Sequence, residues 1–474
     1  MTTALENSEE PRGLFFDLFG SFDPSSVTPR LGRLRVKGRQ ELETPNFLAI
    51  SSRGVVPHLT PDVISASTTI GGVHMALEDF IERATIGTPP IMNCPGSSPL
   101  HTFTALPRSL ITVLAPRRTP AVSAPKGNSN TAISVFTSTG FQVLSNKSYI
   151  SYIAKLHPDI AIPLADVPHG SNPGTKRVPK MGDRTQEWVT ELLNSKNDEQ
   201  AVFAPILPID SLSQYEYLNQ LADELTDGIS GLAFYDSDLL PDMPATTSLS
   251  RLPRLSLDEP SSPRQILRQV SLGMDIFTIP FIGFATEAGI ALTFRFPRPL
   301  LDEPAVSDGV GGSVLPLGIN MSSKSHTASL KPLSPACTCY TCTTHHRAFV
   351  QHLLSADEML SWTLLQIHNS HVVSEFFTSI RESVRRGTFE VDCDEFARAY
   401  ESELPEKSGQ GPRVRGYHFK SEGPGESKKN KAAWGNLGNF EHGISGLVPD
   451  EPAETLEDKG FAEKANTYTS KSRF

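Results

Sequence analysis

The stretch AVFAPILPIDSLSQYEYLNQLADELTDGISGLAFYD, residues 201–236, reads as strand, helix, strand. AVFAPIL (201–207) and ISGLAFYD (229–236) are β-rich runs, and the helical segment YEYLNQLADELT lies between them after Gln214. Two strands joined through such a helix run parallel, because a parallel pair needs a long crossover connection. The same alternation spreads outward in both directions. NFLAIS (46–51), LITVLA (110–115), AISVFT (132–137), DIAIPLAD (159–166) and DIFTIP (275–280) are further β-rich runs. TQEWVTELLN after Arg184 is helical, and Ser262, Pro263 and Gln265 start another helix as N-cap, N1 proline and capping-box glutamine. The alternation indicates a parallel α/β fold, and the number of units favours a TIM (β/α)8 barrel. Ser123–Ser129, Ser237–Ser261 and Leu301–Pro335 read as loops.

A second signal lies beyond the alternation. Cys337, Cys339, Cys342 and His368 form the pattern Cys-x-Cys-x2-Cys-x25-His, with three of the five cysteines inside six residues. Thiolates so close together bind one borderline cation well, and an imidazole completes a tetrahedral Cys3His zinc site. Helix geometry selects the histidine. A short helix over Thr344–Leu354 climbs roughly 16 Å from the cysteines, and a second, opened by a Ser355/Glu358 capping box, travels roughly 18 Å before His368. Packed as an antiparallel hairpin, the pair returns His368 to the cysteines and leaves His352 at the far end. A closed four-ligand site has no vacancy for substrate, so the expectation is one structural zinc per chain. His345 and His346 are nearer in sequence and remain alternative ligands, and His368 also fits a buried stripe with Leu360, Leu364, Val372 and Phe376. An iron–sulfur cluster would want a fourth cysteine, and Cys94 and Cys393 are remote.

Composition narrows the setting. Clustered cysteines suggest a reducing compartment. The start, MTTALENSEEPRG, lacks the apolar core of a secretory signal. The longest apolar run, Met274–Phe294, contains Asp275 and Glu287, which argues against a membrane segment. The expected location is cytoplasmic, where the sequon at Asn146 means nothing. A net charge of −10 disfavours autonomous nucleic-acid binding, so any RNA contact needs a local patch or a basic partner. The expected organisation is a disordered N-terminus (1–11), a barrel domain (12–330), a zinc-binding helical subdomain completing the barrel (331–404), and a polar, disordered tail (405–474). The basic pieces Arg413–Arg415 and Lys428–Lys431 read as solvated tail.

These motifs together resemble the tRNA-guanine transglycosylases, TIM-barrel enzymes that exchange a guanine base in tRNA. The run from Cys337 to Arg386 is similar to the family's zinc subdomain. RLGRL (30–34), ETPNFL (43–48) and SRGVVPHLTPD (52–62) resemble its opening strand and following loop. TSTGFQVLS (137–145) matches its D-S-G-G-F-Q-V segment, and GMDIFTIP (273–280) its G-V-D-M-F-D-C-V-x-P segment. The resemblance covers roughly residues 12–390 in order.

Departures from the family pattern fall on its chemistry. Thr278 occupies the position of the aspartate that attacks the ribose, and Thr137 that of the aspartate acting at the base-exchange step. Thr139 replaces the first glycine of that segment, and Pro208-Ile209-Asp210 aligns with the base-reading Gln-Gly-Gly. Asp166 matches a base-reading aspartate, with a purely structural carboxylate as the alternative. Gly231-Leu232-Ala233 retains part of G-G-L-A-V-G. A hydroxyl needs an adjacent base to become a nucleophile, and none is evident beside Thr278. The resemblance therefore implies a non-catalytic chain that pairs with a homologous catalytic transglycosylase chain. The heterodimer would insert queuine at the wobble position of tRNAs with GUN anticodons, the zinc subdomain helping to build the interface. Two other readings stand beside this one. The chain could be an active transglycosylase with a displaced nucleophile, Asp275 being the nearest candidate, or a zinc-stabilised RNA-binding protein.

Overall fold

The computed structural model describes residues 13–20, 23, 27–82, 87–124, 127–168, 173–197, 199–297, 314–406 and 411–412. The expected disordered N-terminus, most of the tail and its basic pieces lie outside the described residues.

Three antiparallel strands, β1 (Leu14–Phe19), β2 (Leu31–Val36) and β3 (Leu42–Thr44), form a small sheet of their own. The barrel opens with β4 (Asn46–Ile50), and α1 (Pro61–Ser67), β5 (Gly72–Ala76), α2 (Pro99–Thr104) and β6 (Ile111–Ala115) follow. A hairpin of β7 (Ala132–Thr137) and β8 (Gly140–Ser145) interrupts the alternation before α3 (Asn146–Leu156) and β9 (Ile160–Ala161). Next come α4 (Val178–Ser195), β10 (Ala201–Ile206), α5 (Tyr215–Asp223) and β11 (Gly231–Phe234). Then α6 (Thr247–Arg251), β12 (Arg254–Ser256), α7 (Pro263–Ser271), β13 (Ile276–Thr278) and α8 (Pro280–Glu287) complete the circuit. The order β4-β5-β6-β9-β10-β11-β12-β13 is closed by parallel pairing of β13 with β4, Phe277 opposite Phe47.

Side chains alternate across these strands, as the two-residue period requires. Leu48, Val113, Phe203, Ala233, Leu255 and Ile276 fill the interior with Leu34 and Leu42 of the small sheet. Their neighbours Phe47, Leu114, Val202, Leu232, Phe234 and Phe277 belong to the layer shared with the helices. Gly231 is required here: a Cβ at that position would stand 2.5 Å from the Phe203 ring.

After the barrel, β14 (Ile290–Leu292) and β15 (Gly318–Asn320) make an antiparallel ribbon. Four helices follow: α9 (Tyr340–Thr344), α10 (Arg347–Ser355), α11 (Met359–Arg386) and α12 (Phe389–Ala399). Helix α11 packs on α8, β4 and β14, and its Phe376 and Phe377 join a ring cluster with Phe47, Phe277, Phe294, Phe296 and Phe396. The helical region is thereby fused to the barrel wall.

Several expectations are corrected. AISVFT is not a barrel strand: β7 turns back through a two-residue loop into β8, and so short a connection forces antiparallel pairing. The stretch read as a loop over 237–261 holds α6 and the barrel strand β12. The helix expected over Thr344–Leu354 is α10, which starts only at Arg347, because His345 and His346 are extended and Thr344 ends the separate α9. No capping box forms at Ser355. That residue ends α10, its hydroxyl donating to Gln351 O, and Glu358 stands at the N-cap of α11 without a side-chain cap bond. At α7 the glutamine of the expected box accepts from Ser261 rather than from Ser262.

Candidate metal centre and barrel mouth

Cys339 is the N-cap of α9, and its sulfur accepts from the Cys342 amide at 3.3 Å. This tight turn sets Cys337, Cys339 and Cys342 on one side of a small hollow. Helix α11 closes the other side with His368, which is fully buried. Its Nδ1 stands 3.6 Å from Cys337 Sγ, 3.5 Å from Cys339 Sγ and 3.4 Å from Cys342 Sγ. All four donor atoms lie within 4.8 Å of one another. Thr341 ties the two sides together by donating to Leu364 O at 2.7 Å, one helical turn before the histidine.

The other ring nitrogen fixes the imidazole's orientation. His368 Nε2 lies 2.8 Å from Leu292 O. A carbonyl can only accept, so Nε2 carries a proton and Nδ1 is the nitrogen turned toward the sulfurs. Hydrogen bonding with Cys339 and Cys342 holds the Cys337 thiol far below its ordinary value. Burial works against a charged His368, but its bonds to Cys337 and Cys342 outweigh that and push it up to about 9. Three sulfurs and one imidazole nitrogen converge on one point, and a donor set of this kind can hold a metal ion, which displaces the protons it carries.

The other histidines weighed as ligands are elsewhere, whereas His371, one turn after His368, stands beside the cluster with its Nε2 3.4 Å from Thr338 Oγ1. His345 stacks on Phe349, His346 caps α10 by accepting from the Phe349 amide, and His352 is exposed.

The C-terminal ends of the barrel strands form a second region of interest, where enzymes of this fold carry their sites. Thr278 ends β13, is fully buried, and donates to Ser256 O at 3.1 Å. Thr137 is also fully buried; its hydroxyl donates to Gly140 O at 2.9 Å and accepts from the Thr139 amide. Asp210 caps the short helical turn after β10 by accepting from Ser213 N and Oγ. Asp166 is buried with both oxygens engaged. Asn128 and Arg177 each donate to Oδ1 at 2.8 Å, and Arg184 donates to Oδ2 at 2.7 Å. Burial opposes its charge, but bonds from Arg177, Arg184 and Asn128 prevail and hold the carboxyl below its ordinary value. These three partners were not foreseen from the sequence.

The centre of the mouth is small. His74, Arg117, Arg118, Tyr235, Leu257 and Glu259 line a cavity of about 30 Å³, enough for a water molecule and far below the several hundred Å³ of a ligand pocket. Arg117 donates to Ser134 O and Asn128 Oδ1, and burial lowers its pKa. Burial likewise pushes Tyr235 up to about 12, so it stays a neutral phenol. Tyr235 falls at the last glycine of G-G-L-A-V-G when Gly231-Leu232-Ala233 is matched to that pattern, a signal already present in the sequence.

Asp275 lies at the opposite end. It precedes β13, about 10 Å along the strand from Thr278. It is fully buried in an ion pair with Arg30, and it accepts from the Arg254 amide at 2.7 Å.

A family model described as queuine tRNA-ribosyltransferase matches residues 25–402. A Schizosaccharomyces pombe protein named queuine tRNA-ribosyltransferase accessory subunit 2 is 38% identical over 416 residues, covering 85% of this chain and 89% of its own length. Proteins of the same name from Drosophila erecta and Drosophila persimilis are 26% and 28% identical, over 76% and 75% of this chain and 88% and 86% of theirs.

Proposed function

We infer the role of this chain from its membership: it belongs to the queuine tRNA-ribosyltransferase family, whose model spans residues 25–402. It is the non-catalytic partner of a catalytic queuine tRNA-ribosyltransferase chain, and the heterodimer exchanges guanine for queuine at the wobble position of GUN-anticodon tRNAs in the cytoplasm. The observation that carries this reading is Thr278. Where active relatives would present an ionised carboxylate, this chain has a buried hydroxyl committed to Ser256 O. A hydroxyl without a neighbouring base is a poor nucleophile at neutral pH. Two further observations support it: the other lost aspartate is a buried threonine, and the cavity lined by Tyr235 and Arg117 measures only about 30 Å³. Among the described residues, no helix is long and apolar enough to cross a membrane.

The cation is zinc, one per chain, held by Cys337, Cys339, Cys342 and His368. Zinc–sulfur and zinc–nitrogen bonds at a tetrahedral angle put sulfur and nitrogen roughly 3.5 Å apart. The sulfur–nitrogen distances of 3.4–3.6 Å support that assignment. A closed Cys3His shell leaves no position for substrate, so the ion staples residues 331–404 to the barrel domain and contributes folding energy. A displaced nucleophile at Asp275 is disfavoured by its ion pair with Arg30 at the wrong end of the strand.

The test is Thr278→Ala in the presence of the catalytic partner. Exchange activity stays near wild type under this reading. A large loss with the heterodimer intact would contradict it.

A further inference from the structure

Strand β14 has two hydrogen-bonding edges, and β15 takes one of them, with Leu292 opposite Gly318. The other edge meets two consecutive side chains of α11. Asn369 is fully buried and acts there as a substitute strand. Its Oδ1 accepts from Leu292 N at 2.9 Å, while Nδ2 donates to Ile290 O and to Thr286 Oγ1, both at 3.0 Å. His368, one residue earlier, binds Leu292 O at 2.8 Å. Adjacent helical residues project about 100° apart, so the two side chains straddle Leu292 and occupy its amide and its carbonyl together.

We propose that Asn369 is a positioning residue for the metal centre, and that cation occupancy and the docking of β14 on α11 are one coupled event. This rests on the reading of the Cys3His cluster as a zinc site. Asn369 fixes α11 against β14, which brings the Leu292 carbonyl to His368. That carbonyl holds the imidazole with Nδ1 facing the three sulfurs. Partners that orient a metal-binding histidine in this way typically govern metal affinity by about 10–100-fold. Coupling between two binding events is reciprocal, so a cation at His368 must in turn strengthen the grip of α11 on β14. A dedicated carboxamide is needed because β14 has only three residues and would otherwise leave Leu292 N and Ile290 O buried without partners.

The experiment uses the full chain with zinc ion as the probe. Affinity is read by competition with a chromophoric chelator, and ligand geometry by the visible absorption of the cobalt(II)-substituted protein. Asn369→Asp keeps the acceptor toward Leu292 N and removes both donors; it should weaken zinc about 10–100-fold and alter the cobalt bands. Thr286→Val, a milder change, should shift affinity in the same direction by less. Hydrogen exchange on the wild type covers the case in which the variants fail to fold. Chelation should accelerate exchange of the Leu292 amide while β4 and β13 stay protected. Folded Asn369→Asp with wild-type affinity and cobalt spectrum would overturn the proposal. So would chelation that loosens residues 337–344 but leaves Leu292 protected. Failure of the wild type to bind zinc at all would instead remove the metal reading beneath it.

Discussion

Replacing Asp275 by asparagine separates a structural carboxylate from a displaced nucleophile. The side chain is fully buried, and its partner Arg30 is only 10% exposed. Arg30 Nε donates to Oδ1 at 2.9 Å, Arg30 Nη2 pairs with Oδ2, and the Arg254 amide donates to Oδ2 at 2.7 Å. Asparagine has the same shape, but its NH2 would face these donors, and no anion would remain between Arg30 and Arg254. Burial already presses Arg254 down to about 9, with Arg30 pushing the same way and Asp275 opposing. Removing one member of a buried pair costs about 3–5 kcal/mol, because the other charge stays buried. That is about 10²–10⁴-fold in the unfolding constant, a large share of a typical net stability of about 5–15 kcal/mol. Urea denaturation followed by circular dichroism should show the loss. Base exchange with the catalytic partner, assayed where the variant is folded, should be unchanged. Wild-type stability combined with abolished exchange would refute the reasoning, since it would place the carboxylate in the chemistry.

Three more outcomes follow from the geometry. Cys339→Ser and His368→Ala should lose zinc and destabilise the chain, whereas His345→Ala, His346→Ala and His352→Ala should keep full occupancy, measured by elemental analysis. Asp166 has a depressed pKa, so its contribution is fully present above the unfolded value of about 3.9 and is lost as pH falls through the lower folded value. Urea midpoints of wild type and Asp166→Asn should therefore differ at pH 6 and converge in acid; a pH-independent gap would contradict this. Thr278→Asp should not restore single-turnover exchange of labelled guanine without partner, because Thr137 cannot supply acid–base function and the cavity beside Tyr235 and Arg117, about 30 Å³, is too small for a base.

What could be read from the sequence divides along physical lines. The barrel was legible because buried parallel strands are apolar runs separated by helices, and six of the quoted runs are barrel strands. The other two were not. β5 lies in GVHMA, and β12 has three residues, one of them Arg254, too few for any periodicity. β7 has the composition of a barrel strand, and only the two-residue turn at Ser138–Thr139 reveals that it folds back. The four clustered donors were legible because cysteines at this spacing are rare and because two helices had to return His368 to them. The Ser355–Glu358 box fitted a pattern but not the backbone, since α10 continues through Ser355. The cage around Asp166 was illegible: Arg177 at the N-cap of α4 and Arg184 on it lie two turns apart, but Asn128 comes from a distant loop, and nothing in the spacing ties them to Asp166.

The central claim is that this chain serves a base-exchange reaction without performing it. The most direct measurement is exchange of labelled guanine into substrate tRNA, with trapping of covalent RNA adducts, for the purified chain alone and mixed with its catalytic partner. The account predicts no exchange and no adduct from the chain alone, and exchange by the mixture well above that of the partner by itself. Turnover or a covalent RNA adduct from the chain alone would contradict it.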